Sequence, residues 1–111
     1  MAYDEGLANR VRHVLLDLNP PRLHEKRMFG GVGYMVQGNM ACGVHKDKLV
    51  VRVGPDGYQE ALAAPHTVLF DITGRPMKGW VMVEPEGCAS DDDLRRWVQQ
   101  GVTFASALPP K

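Results

Sequence analysis

The sequence predicts an α+β fold in the order α-β-β-β-α-β-β-α, a mainly antiparallel sheet flanked by helices. Three observations carry this prediction. Residues 26–53, KRMFGGVGYMVQGNMACGVHKDKLVVRV, are apolar runs broken by two short polar turns, the mark of consecutive hairpins. Apolar side chains recur at helical spacing near both ends of the chain. Two further runs, TVLFDI at 67–72 and WVMVE at 80–84, have strand composition and are expected to pair and extend the sheet.

In chain order, residues 4–18 form the first helix. Leu7, Val11, Val14, Leu15 and Leu18 make its apolar stripe, and Asp4 and Glu5 suit the positive end of its dipole. Asn19-Pro20-Pro21 stops it, because a proline pushes the preceding residue out of the α region. Residues 22–27, RLHEKR, are expected to be a solvated basic connector, with an anion site as the sharper alternative. In Arg27-Met28-Phe29-Gly30-Gly31-Val32-Gly33 the glycines lead into a strand rather than a helix. They lack P-loop or dinucleotide spacing, so a bend at the sheet entrance is the simpler reading.

Strands at 32–37, 40–45 and 48–53 follow. Gly38-Asn39 is expected to make the first turn, since glycine accepts positive φ, and Lys46-Asp47 the second. That register puts Met35, Met40, Cys42, Val44, Leu49, Val51 and Val53 on one face. Val32, Tyr34, Val36, Ala41, Gly43, His45, Val50 and Arg52 fall on the other, and a slip of one residue would exchange the sets. Both faces are rather apolar, so either helices cover both or the second face meets a partner.

Gly54-Pro55-Asp56-Gly57 reads as a turn before a short helix at 58–64, which Pro65 ends. Residues 73–76 read as a loop carrying Arg75, with Lys78 beyond it. Pro85-Glu86-Gly87 breaks the chain before the last helix. Ser90 is its N-cap, with Asp91, Asp92 and Asp93 in the first turn, where the helix dipole is reason enough for them. Leu94, Trp97, Val98, Gly101, Val102 and Ala105 form its inner stripe, and residues 108–111 are expected to fray.

The 111 residues fit a single domain spanning 1–111. Thirteen basic residues balance thirteen acidic ones, which argues against direct nucleic-acid binding. Cys42 and Cys88 form no spaced motif and read as free thiols in a reducing cytoplasm. There is no apolar run of membrane-spanning length, and MAYDEGLANR does not read as a secretory signal. The histidines at 13, 24, 45 and 66 lack metal-ligand spacing, so no metal or cofactor is expected. Cys42 and His45 are the one close nucleophile–base pair, but strand alternation sends them to opposite faces. Glu84 and Glu86 could be paired carboxylates, with nothing around them to mark a pocket. No catalytic residue is assigned.

Arg27-Met28-Phe29-Gly30-Gly31-x-Gly33, the strand LVVRV, Pro85-Glu86 and a closing helix with Asp92, Leu94 and Trp97 resemble the N-terminal domain of the TfoX/Sxy competence-regulator family. The resemblance covers nearly the whole chain. It implies a fold similar to secretion-chaperone-like domains and a regulatory setting, since members include the amino-terminal half of a bacterial regulator of natural transformation. The chain leaves no room for that regulator's second, C-terminal domain, and the family supplies no agreed catalytic residues. The motif residues Arg27, Met28, Phe29, Gly30, Gly31 and Gly33 read either as shaping the strand entrance or as a contact loop.

Two functional expectations result. The first is a non-catalytic protein-interaction module contacting an unidentified protein, or a second copy, through Tyr34, Val36, Val50 and Arg52. The second is a small anionic-ligand domain or an enzyme using Arg27, Arg52 and Lys78. Nucleic-acid binding ranks third, and no membrane contact is expected.

Overall fold

A computed structural model describes residues 3–28, 30–71 and 77–111. The expected strand at 72, the loop at 73–76 and the side chain of Phe29 lie outside these. The elements are α1 (Glu5–Leu18), β1 (Leu23–Met28), β2 (Gly31–Val36), β3 (Asn39–His45), β4 (Lys48–Arg52), α2 (Gly54–Ala63), β5 (Thr67–Leu69), β6 (Trp80–Val83), a 3₁₀ turn (Pro85–Gly87) and α3 (Asp91–Ser106). The strands form one six-stranded antiparallel sheet in the order β1-β2-β3-β4-β6-β5.

The helices start and stop where their caps require. The Asp4 carboxylate accepts the Leu7 N–H at 3.0 Å, and Asn19 closes α1 in the left-handed region with its N–H on the Leu15 carbonyl. Ser90 Oγ accepts the Asp93 N–H at 3.1 Å at the start of α3. The helix α2 begins at Gly54, four residues earlier than expected. Pro55 suits a first helical position, and the Val53 and Gly54 N–H groups are taken up by the Gly79 carbonyl.

Residues 23–28 are a strand, not a connector. β1 pairs with β2 from Leu23↔Val36 to Met28↔Gly31. Its charged side chains suppress a strand signal because it is the sheet's edge, where exposed Glu25, Lys26 and Arg27 discourage pairing with other chains.

The register of β2 is the main correction. Gln37 and Gly38, with φ of 53° and 82°, make the turn, one residue before the expected Gly38-Asn39 pair. Two positive φ angles are what a type I′ hairpin needs. A bulge then sets Tyr34 opposite Cys42 and Met35 opposite Met40, leaving Ala41 without a partner in the ladder. The combined shift exchanges the two faces of β2. Val32, Tyr34 and Val36 turn toward the helices, and Met35 turns away. The pairs Val44↔Leu49 and Cys42↔Val51 form as expected across a turn in which Lys46 adopts a φ of 56°.

The helices cover one face. Leu7, Ala8, Val11 and Leu15 of α1, Tyr58 and Ala61 of α2, and Leu94 and Val98 of α3 share a core with Val32, Tyr34, Cys42, Val44, Leu49, Val51, Val81 and Val83. The Tyr34 hydroxyl donates to the Ala8 carbonyl at 3.0 Å, tying β2 to α1. α3 lies close on β3, where Ala41 and Val36 meet Ala105. The C-terminal residues do not fray. The Asn39 side chain, 2% exposed, donates to the Pro109 carbonyl at 3.0 Å, and the Lys111 N–H reaches the Gln37 carbonyl at 2.8 Å.

Candidate functional site

The opposite face of the sheet carries no helix among the described residues. Its central feature is an apolar groove of about 290 Å³, walled by Met28, Met35, Met40 and Met77 with Val50, Phe70 and Trp80. These are four of the chain's six methionines. A fifth, Met82, pairs with Val50 on the same face. Methionine is flexible and polarisable, so such a wall can fit itself to differently shaped apolar groups.

Gly31 lines the groove, and Gly33 lies beneath the methionine side chains that wall it. Gly33 and Gly43 face each other across β2 and β3. A Cβ at Gly33 would press the Met28 and Met40 methyl groups at 3.2 Å, and one at Gly31 would lie 2.2 Å from the Val44 carbonyl oxygen. Close backbone approach therefore demands glycine at position 31, whereas at position 33 the methionine ends would have to shift.

One end of the groove is cationic. Arg52 is half-buried, with its guanidinium carbon 5.1 Å from the Trp80 ring centroid and 5.4 Å from that of Phe104. Trp80 also meets Phe70 edge-to-face, with centroids 5.8 Å apart. Lys111 joins the rim, and no carboxylate side chain lines the groove. Among the described residues the acidic side chains in ion pairs are Asp17, Glu25, Asp47, Asp91 and Asp93, and none is bound to Arg52.

The expected site residues are redistributed. Tyr34 and Val36, 1% and 0% exposed, lie beneath the helices, while Val50 and Arg52 belong to the open face. The four therefore do not share a surface. Arg27 is exposed on β1, opposite Val32 and so on the helix side. Lys78 is exposed in the turn before β6, with three strands between β1 and β6 in the sheet. Arg27, Arg52 and Lys78 are thus not gathered into one pocket.

Catalytic pairings fare no better on geometry. Cys42 is fully buried on the helix side, and His45 lines the groove on the other. Burial pushes the Cys42 thiol up to about 12, and burial likewise raises Cys88, whose Sγ lies 3.6 Å from the Glu84 carbonyl. Both cysteines are free. Among the described residues no group of three or more His, Cys, Asp and Glu side chains is placed to hold a metal. No described helix is long and apolar enough to cross a membrane.

The sequence reading puts Met35 and Met40 on the face of Cys42, whereas both line the groove, and it assigns Phe70, Met77 and Trp80 to no face. The available signal is the clustering of methionines in and around the strands, and the bulge decides the face of Met35 and Met40.

Comparison with known proteins supplies the family. The model of the TfoX N-terminal domain matches residues 16–105, well over half of the chain, and includes the whole of the Arg27–Gly33 motif. No curated protein and no solved structure matches the chain. On that match, the chain belongs to the TfoX N-terminal domain family.

Proposed function

We propose that this chain is a non-catalytic protein-interaction module of the competence-regulator type, acting in the cytoplasm, with the open face of its sheet as the contact surface. The observation that carries the reading is the groove: an apolar, methionine-walled surface left uncovered by the helices. Monomeric proteins seldom leave such a patch without a use, and methionine-rich surfaces suit partners whose apolar side chains must be accommodated. The partner is another protein or a second copy of the chain. A zero formal net charge gives little basis for direct nucleic-acid contact.

The test is capture of partners by tagged protein from source-cell lysate, with and without nuclease, alongside Met35→Glu. Met35 is half-exposed on the open face, so a charge there leaves the core alone. Val50 is a poorer choice because it is 2% exposed on an interior strand, where a charge would threaten the fold. The expected result is a protein that survives nuclease and is lost with Met35→Glu. Equal capture by both proteins removes the open face from the reading, and a signal lost with nuclease replaces it with nucleic-acid binding.

A further inference from the structure

The groove also has a polarity that an apolar contact surface does not require. Its walls are methionine, valine and aromatic carbon, and the cationic side chain set among the aromatic rings is that of Arg52. Arg52 is held in place by the rings of Trp80 and Phe104. These rings offer it no acceptor oxygen in the ring plane, and no described carboxylate is paired with it. A guanidinium stacked on aromatic faces keeps its N–H edges available for a planar oxyanion. The groove's volume, about 290 Å³, lies at the small-molecule end of binding cavities.

We propose that this groove binds a small organic anion with an apolar body, an aryl or alkyl carboxylate or sulfonate. The body lies among Met35, Met40, Val50 and Trp80, and the oxyanion meets Arg52. The inference rests on the same open face as the interaction reading, but it concerns a ligand that occupies the groove rather than a partner that covers the sheet. Charge complementarity favours this occupant, because an oxyanion supplies the acceptor that Arg52 finds in none of the ion pairs among the described residues.

Two dyes with one scaffold isolate the charge: anilinonaphthalene sulfonate and its uncharged parent, N-phenyl-1-naphthylamine. Titration of the folded protein, followed by dye emission and by tryptophan fluorescence, is expected to show one site. The sulfonate should bind about tenfold tighter than the parent, as one charge-assisted hydrogen bond at a half-open site provides. Arg52→Gln should remove that advantage and leave the parent dye's affinity unchanged, and Arg52→Lys should restore part of it. Met77→Glu, at an exposed rim position, should weaken the sulfonate more than the parent.

Equal affinities for the two dyes in the unaltered protein overturn the proposal without need of any variant. So does a sulfonate affinity indifferent to Arg52→Gln. Exclusion of both dyes by a protein that sediments as a dimer also overturns it, because a second copy then fills the face. Failure here with partner capture still lost on Met35→Glu removes the ligand and leaves the interaction reading standing.

Discussion

Exchanging the Tyr34 hydroxyl for hydrogen, Tyr34→Phe, tests the register of β2 most economically. The ring is 1% exposed, and its hydroxyl makes one buried hydrogen bond, 3.0 Å to the Ala8 carbonyl. The substitution leaves ring packing intact and removes that bond, a loss of about 1–1.5 kcal/mol. For a chain of this length the loss corresponds to a fall of about 4 °C or somewhat more in Tm. Burial also raises the Tyr34 hydroxyl's pKa, so the neutral phenol is the form that the core holds. Met35→Ala is the matched control. On the open face it removes a half-exposed side chain and should cost under about 1 kcal/mol. With the register expected from sequence alone, the order reverses: Tyr34→Phe becomes nearly neutral, and Met35→Ala empties a core position at about 2–5 kcal/mol. Chemical denaturation of the two variants decides the matter. A larger loss from Met35→Ala than from Tyr34→Phe would refute the bulge and everything placed by it.

Gly101→Ala should destabilise by about 1–3 kcal/mol in the same assay, because the added Cβ would stand 2.3 Å from the Ala41 carbonyl oxygen and push α3 off β3. A gain of about 1 kcal/mol, the ordinary effect of replacing glycine in a helix, would contradict that close approach. The rise of the Cys42 thiol from 9.0 to about 12 makes folding favour the neutral form. Stability from this group is therefore complete below about pH 9 and is lost progressively as pH rises toward 12, by up to about 4 kcal/mol. Cys42→Val should flatten that alkaline decline, and an unchanged pH profile would count against the burial. Asn39→Ala should release the C-terminal residues, seen as faster amide exchange at Lys111, whose N–H otherwise holds the Gln37 carbonyl at 2.8 Å. Slow exchange retained in the variant would show that the side chain does not anchor the tail.

The parts of this fold that are legible in the sequence are those whose signals are local. Helical spacing in α1 and α3, the caps at Asp4 and Ser90, and the β3–β4 hairpin need only neighbouring residues to be read. β1 gives no alternation because its residues between Leu23 and Met28 are all exposed, and its charges are themselves the edge's protection. The start of α2 was hidden because Gly54-Pro55-Asp56-Gly57 suits a turn and a first helical turn equally, and the Gly79 carbonyl decides between them. The β2 register depended on Ala41 fitting beneath Gly101 and Ala105, a contact 60 residues away along the chain from its other half. That single bulge explains why Tyr34 and Val36 were expected on a surface and lie in the core. The groove was legible only in part: Arg52 and Val50 were placed on the second face by alternation, whereas the methionine wall needed the corrected register. The motif glycines read as shaping the sheet entrance, and packing gives Gly31 a specific reason, since a Cβ there would stand 2.2 Å from the Val44 carbonyl oxygen.

The claim on which the functional reading depends is that one face of the sheet is open. It can be measured directly with methyl-labelled methionine and a neutral, soluble paramagnetic agent in the NMR spectrum. Met28, Met35, Met40 and Met77 line the groove and are half-exposed or exposed, so their methyl signals should broaden strongly as the agent is added. Methyl signals that stay sharp, with the protein at a monomer's mass, would mean that the face is covered from within and would remove the contact surface.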